Sequence, residues 1–504
     1  MIKTPFPHKK VTIFFLSSLI VFIVLFVIGI VLFQQKVLIV GQGFQFTMIQ
    51  DAVDSSDDGD IILVTDSLSP YDEAVKVGPG KTGLKLIGIG KPIIDGTLQG
   101  FDNGITVTES SKITIRGFVI QNFEREAFML TTGNGIYLDQ SSKNSVVKND
   151  LLENESNGIF VDNNSFNNLI KQNLTGENFI DGIQLDNNSN TNIVLKNIIT
   201  LNEGDGLDSD NSLRNFLIGN EVNNQVDDGF DIDDSFNHII LGNIAKENGD
   251  EGFDIEDSSD NLFTANKVIR NLNDGFEMDE DTFNNLILGN LILDNGLSEE
   301  DRGHGIFFED ETAFNNVIGN KIIGSTDDAI LIDSESHNHF IFGNLIKNNV
   351  GDGILMDDGD NGQGPSFLNT IINNFVIGNT GDGIEINQDS FRNTVKRNKV
   401  KRNGENGIKL DTQSNNNSVT KNIVIKNTLN GIDSIGATLN TIELNRVFNN
   451  RMNGIFLDVN STQNEILFNQ VFFNTDTDIV DEDNNFFEGN KCGTSFGVNV
   501  DCGN

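Results

Sequence analysis

Tryptophan is absent from these 504 residues, tyrosine and cysteine each occur twice, and proline occurs six times. Without Trp, and with so little Tyr, the polar-edged aromatic platforms that usually stack on sugar rings are missing. So few cysteines leave stacking, not cross-linking, to hold the chain together. Helical periodicity is missing too: after residue 60 no window of twelve or more residues keeps a helical stripe. Positive charge is scarce, with 34 Lys and Arg against 74 Asp and Glu, a formal net charge of −40. A bare carboxylate surface repels nucleic acids and uronate polymers alike, so no nucleic-acid partner is expected, and an acidic polymer needs bridging cations.

What is present is a short signal, Asp/Asn-Gly-Ile/Phe, returning every 23 or 24 residues. It begins at Asn134, Asn157, Asp181, Asp205 and Asp228 and runs on to Asn453, with Ala329 once replacing the glycine. Between the signals, apolar and polar residues alternate in runs of four to six, bounded by Gly, Asn, Asp and Ser, which is strand-and-turn patterning. A fixed period of this length means a stacked solenoid whose units bury their apolar faces only against neighbours. The expected fold is all-β: a right-handed parallel β-helix of about 14 coils, roughly 65–70 Å long before its caps. Two asparagine columns run through it, one from Asn149 to Asn469 and one five residues earlier, from Asn144 to Asn464. Asn tolerates the left-handed backbone of tight turns, and stacked amides can bond along a ladder. His238 and His339 stand in the second column, so their role is read as structural.

The remaining segments divide as follows. Residues 11–33 form a charge-free apolar run long enough to span a bilayer, preceded by Lys9 and Lys10. It is read as a single transmembrane signal-anchor, with residues 1–10 cytoplasmic and the rest outside. Residues 37–133 form an N-terminal cap and the first coils, 134–475 the repeats, and 476–504 a C-terminal cap. In that cap Cys492 and Cys502 close a short disulfide loop in an oxidising compartment. A capping-box pattern at Thr47–Gln50 opens a short helix covering the first coil.

The segments Ile49-Gln50-Asp51-Ala52-Val53, Gly59-Asp60-Ile61-Ile62-Leu63-Val64, Tyr71-Asp72-Glu73-Ala74-Val75 and Ile93-Ile94-Asp95-Gly96 lead into the Asn-Gly-Ile repeats. In these the chain resembles the pectate-lyase-like superfamily of right-handed β-helices, specifically proteins with NosD-type, carbohydrate-binding and sugar-hydrolase repeats. The resemblance covers nearly everything after the apolar run. It implies the fold, and a polysaccharide or cell-surface component as partner. It does not select an activity, because the superfamily hosts lyases, hydrolases, epimerases, adhesins and metal-accessory proteins. Gly303-His304-Gly305 is similar to one polygalacturonase element, and Asp227-Asp228 and Asp327-Asp328 to another, but their order and coil spacing differ and the Arg-Ile-Lys element is missing. With five His, six Met and no clustered soft-ligand motif, copper is set aside.

The acidity is concentrated. The fourth position of each unit, expected to point outward between two inward apolar residues, reads Asp208, Asp231, Asp254 and Glu277 in four successive coils. The sixth position adds Asp233, Glu256 and Asp279. Neighbours on such a grid lie about 4.8 Å apart between coils, where two charges repel by roughly 1 kcal/mol in water and about 3 at an intermediate dielectric. Hard divalent cations, Ca²⁺ first, are the expected neutraliser. For the sixth position the alternative is that its carboxylates satisfy turn amides, since acidic residues recur there from Asp139 to Asp458.

Two units carry insertions, Gly296–Gly303 and Asp358–Pro365, and between them the fourth position turns apolar: Phe307, Leu331, Leu355. Loops on a rigid scaffold often carry function, so this strip is the expected cleft. His304 and Arg302 are its basic groups, beside Asp274 and Asp328. If the protein is an enzyme, His304 or a neighbouring carboxylate moves the proton and Arg302 holds developing charge. The alternative makes His304 a turn residue and Arg302 an ion-pair partner. The expected function is a membrane-anchored extracytoplasmic β-helix that binds or processes polysaccharide with cation assistance. The alternative is a non-catalytic surface scaffold or adhesin with a Ca²⁺-binding acidic face.

Overall fold

The computed structural model describes residues 35–127, 129–297, 303–359, 364–497, 499–500 and 502–503. Within them the chain winds through three parallel sheets of 19, 17 and 18 strands, each strand paired with its counterparts one coil before and one coil after. The count exceeds the 14 coils read from the repeats. Four coils precede them in the first sheet, at Val37–Val40, Ile61–Thr65, Lys85–Ile89 and Thr114–Arg116, and one follows at Phe486–Glu488. Of these end coils one carries the Asn-Gly-Ile signal, at Asn103-Gly104-Ile105, which lies before the first repeat read at Asn134; the others lack it. At 4.8 Å per coil, 19 rungs make a rod of roughly 85 Å. The expected transmembrane run and cytoplasmic terminus lie outside the described residues; no helix among those described is long and apolar enough to cross a membrane.

Most strands are three residues long because one inward side chain per strand is enough to fill the narrow interior. Ile240 of Ile239–Leu241, Phe263 of Leu262–Thr264 and Ile287 of Leu286–Leu288 are fully buried, and their flanking residues point outward. The third sheet takes two inward residues per strand, as Phe230 and Ile232 of Phe230–Asp233 show. Its phenylalanines stack along the axis, with Phe230, Phe253 and Phe276 rings 4.5 and 4.7 Å apart. The glycine of the repeat signal is demanded by this packing. A Cβ on Gly252 would lie 2.3 Å from Val268 Cγ1 and 2.7 Å from the Gly275 carbonyl oxygen. Gly252→Ala is therefore expected to cost about 3 kcal/mol through overpacking, read as a lowered denaturation midpoint.

The asparagine columns are continuous ladders. Asn220 Oδ1 accepts from the backbone N–H and the Nδ2 of Asn197, both at 3.0 Å, while its own Nδ2 donates to the Val194 carbonyl and to Asn243 Oδ1. His238 fits the second ladder by accepting the Asn215 N–H at Nδ1 (3.1 Å) and placing Nε2 2.9 Å from Ser209 Oγ. Burial pushes its imidazole down to about 3, so it stays neutral, and His339 behaves alike. A third ladder was missed in the sequence although it continues the same five-residue spacing: Asn154, Asn178 and Asn202, then Gln225, Asn248 and Asn271.

Both ends differ in detail from expectation. Helix Ile49–Asp54 has Met48 at its N-cap with no side-chain cap, so the capping box does not form. Glu73 from the next coil replaces it, its two carboxylate oxygens accepting the N–H groups of Ile49 (2.7 Å) and Gln50 (2.9 Å). At the other end Cys492 and Cys502 are disulfide-bonded, and both pack against the core.

Candidate functional site

Two columns of side chains run side by side along the outside of the third sheet. The first is the residue that starts each repeat. Each aspartate there has a structural duty, because its Oδ1 accepts the N–H of the residue one coil further on, whereas Glu251 accepts from the Asn273 side chain instead. Asp205 donates to Asp181 (2.9 Å), Asp228 to Asp205 (2.9 Å) and Glu251 to Asp228 (2.7 Å). Asn134, Asn157 and Asn430 do the same work in other coils. One oxygen of each aspartate is thereby fixed, and a neutral amide would serve equally for the ladder. The charge is surplus to it.

The second column is the fourth position, three residues later in the same coil. Gln184, Asp208, Asp231 and Asp254 pair in register, and Glu277 follows, pairing onward with Phe307. The two columns together pack carboxylates closely. Asp205, Asp227 and Asp228 can bring three oxygens within 4.8 Å of one another, as can Glu251, Asp274 and Glu277. Among the described residues no ion pair reaches Asp208, Asp231, Asp254 or Glu277: Lys246 and Arg270 take Glu247, and Lys409, further along the second column, takes Glu385 and Asp411. Asp208 is 8 % exposed; its Oδ2 accepts from Gln184 Nε2 at 2.7 Å, and its Oδ1 has no hydrogen-bond partner. The charges around it are Asp181, Asp231 and Asp205.

Electrostatics follow from this crowding. Burial first, and the neighbouring carboxylates second, raise Asp205 and Asp254 to about 7 and Asp231 to about 9. Glu277 is pushed up to about 11 by burial and by Glu251 beside it. Asp181 and Asp274 are also raised well above the usual carboxylate range. Near neutral pH the trough therefore holds protons unless a cation replaces them.

The sixth-position residues behave differently. Asp279 accepts the N–H of Glu280 at 2.6 Å, and Asp233 accepts that of Asp234, so these carboxylates hold turns. The turn residue that follows takes a left-handed backbone, with φ 44° at Asp234 and 46° at Glu280. Glu256 lies in the same row, half-exposed and bridged to Asp279 one coil on.

The strip Phe307, Leu331 and Leu355 continues the second column in register, and Glu385 follows. Three of the four proposed catalytic residues occupy one column: Asp274, His304 and Asp328 start successive coils. Asp274 Oδ1 accepts the His304 N–H, and His304 Nδ1 lies 3.9 Å from Asp328 Oδ2. Arg302 lies outside the described residues. The His304 imidazole is largely buried against Phe307, its ring 5.2 Å away, and burial pushes it down to about 4, so it is neutral. The recess of about 400 Å³ nearby is not beside His304. It opens at the far end of the strands, between Glu280, Asp281, Asp310, Glu311, Ser334 and Glu335. Sequence reasoning also missed Asp352, Asp382 and Glu385, a third buried carboxylate group beyond the apolar strip.

The family profile described as "Periplasmic copper-binding protein (NosD)" matches residues 71–235 and 131–304, and "Right handed beta helix region" matches 328–493. The chain forms a right-handed parallel β-helix, as the second profile describes. This β-helix is similar in shape to an alginate lyase from Paenibacillus sp. str. FPU-7, at 15 % identity and a TM-score of 0.40, over 48 % of this chain and 91 % of that one. It is also similar to the Azotobacter vinelandii mannuronan C-5 epimerase AlgE4 A-module (15 %, 0.38, 82 % and 94 %) and to pectate lyase Pel9A (13 %, 0.36, 56 % and 77 %). No curated protein matches it in sequence. The donors of this β-helix do not fit copper. Its clustered groups among the described residues are all carboxylates, and His238 and His339 are committed to ladders. All-oxygen sites suit hard cations.

Proposed function

We propose that the trough on the third sheet is a cation-loaded surface that holds an acidic polysaccharide through bridging divalent ions, Ca²⁺ first. The chain would act outside the cell, tethered by its 11–33 segment. The observation that carries this reading is the stack of buried and half-buried carboxylates that no ion pair among the described residues reaches, with Asp208 Oδ1 left unpaired among Asp181, Asp205 and Asp231. An uncompensated stack of this kind is costly in a low-dielectric site, and a hard cation offsets it. The carboxylate columns run from coil to coil along the rod, which suits an extended polymer more than a small molecule. A bare carboxylate row repels uronates, so the ion must sit between them.

The test is retention on immobilised acidic and neutral polysaccharides, with Ca²⁺ or with EDTA. Retention on the acidic polymer only, abolished by EDTA and by Asp208→Asn/Asp231→Asn, is the expected result. A second reading, a Ca²⁺-stabilised scaffold without glycan affinity, draws on the ladder bonds of the first column and on the neutral, buried His304. Calcium binding without retention on any glycan would favour it.

A further inference from the structure

The first sheet presents a second surface, unrelated to the trough. From the strand Ile193–Leu195 to the strand Thr370–Ile372, eight successive strands pair in register. Each contributes two outward residues, and none of these sixteen is charged. Thirteen are apolar, including Phe216, Leu241, Leu286 and the adjacent Phe340 and Phe342; the others are Thr264, Asn316 and Thr370. The face stops at a lysine on both sides, Lys171 paired with Leu195 and Lys396 paired with Ile372.

An independent feature coincides with it. The turn residue bordering this sheet is Gly219, Gly242, Ala265, Gly289, Gly319 and Gly343 in six of these coils. Other coils hold the same left-handed backbone with Lys148, Lys196 or Arg397, so the turn does not require glycine. Nor does packing: a Cβ at Gly242, Gly289, Gly319 or Gly343 would meet open space. One edge of the apolar face is thus cleared of long side chains and charge in these coils, while the opposite edge carries Arg214 and Asp260.

We infer that this face is the interface between two copies of the chain. Eight strands and two outward positions give a flat footprint of about 34 by 14 Å, roughly 500 Å² per copy and about 1,000 Å² in all, the lower threshold of a biological interface. A copy offers ridges at the same coil spacing, so a two-fold axis through the centre makes the face self-complementary. A chain with formal net charge −40 approaches its copy best where it carries none.

Light scattering with absorbance and refractive-index detection, which counts protein apart from detergent, measures the mass of the full chain. The expected mass is twice the 55.4 kDa of one chain, returning to one chain in Leu241→Lys/Leu288→Lys with an unchanged circular dichroism spectrum and melt. Because Leu262 and Leu286 flank the centre, Leu262→Cys/Leu286→Cys should trap a covalent dimer on mild oxidation, whereas Lys267→Cys on the second sheet should not. A single-chain mass at all micromolar concentrations with no trapping overturns the inference. So does self-association that survives the lysines. Flotation of a monomer with neutral liposomes, lost in the lysine variant, would assign the face to lipid and overturn it equally.

Discussion

In EDTA, raising the pH from 5 to 8 lowers the melting temperature of this β-helix by about 5–10 °C, and millimolar Ca²⁺ restores it. The sign follows from the direction of the shifts. Asp205 and Asp254 rise to about 7 and Asp231 to about 9, above the roughly 3.9 of an unfolded aspartate. The folded chain then binds more protons than the unfolded one. Its stability is fully present below about pH 4 and is lost as pH rises through about 7 to 9. Each group contributes on the order of a few kcal/mol, of which relaxation and water entry remove part. The buried histidines act oppositely. With His238 and His339 at about 3, stability is lost as pH falls from about 6.5 towards 3, but three raised carboxylates outweigh two histidines above about pH 4, so the cation-free protein is most stable at about pH 4. Asp208→Asn/Asp231→Asn should raise the cation-free melting temperature at pH 8 and erase the response to Ca²⁺. An unchanged melt across this range would show that the carboxylates are solvated and uncoupled.

Replacing one ladder amide has an effect of similar size. Asn220→Leu removes the acceptor of two Asn197 donors and the donor to the Val194 carbonyl and Asn243 Oδ1, all buried. Each orphaned group costs about 1–3 kcal/mol, so a total on the order of 4 kcal/mol is expected after partial relaxation. Coils stabilise only their neighbours, so the loss should be local. Hydrogen exchange would accelerate in the coils of Asn197 and Asn243 while distant coils stay protected. The outward Asn223→Ala should change stability by less than about 0.5 kcal/mol. Equal effects of the two substitutions would remove the ladders from the account of stability.

Much of this architecture was legible because the repeat carries redundant information. The inward residue, the glycine crowded by the next coil and two of three amide columns recur at fixed spacing. Most end coils were missed because they fold by adding strands to an existing stack and need no signal of their own, as Val37–Val40 on Ile61–Val64 shows, whereas Asn103-Gly104-Ile105 carries the signal and was legible. The capping box failed because Glu73, a full coil away, reaches both helix N–H groups, a contact local pattern cannot reveal. In the trough, the outward acidity of Asp208, Asp231 and Asp254 could be read from strand alternation. The double use of Asp181, Asp205 and Asp228 could not, since one oxygen serves the backbone of the next coil. Recurrence of acidic residues at the sixth position already offered turn amides as their alternative role, and Asp233 and Asp279 do hold turns. The charge-free face of the first sheet is written across eight coils and emerges only when they are stacked.

The central claim is that the trough binds a hard cation through fourth-position and coil-start carboxylates together. Calorimetric titration of the full chain with Ca²⁺ at pH 8, alongside Asp208→Asn/Asp231→Asn, tests it most directly. Saturable binding accompanied by proton release, lost in the variant, is the predicted result. Absence of binding in the unaltered chain, or equal binding in both, would contradict it.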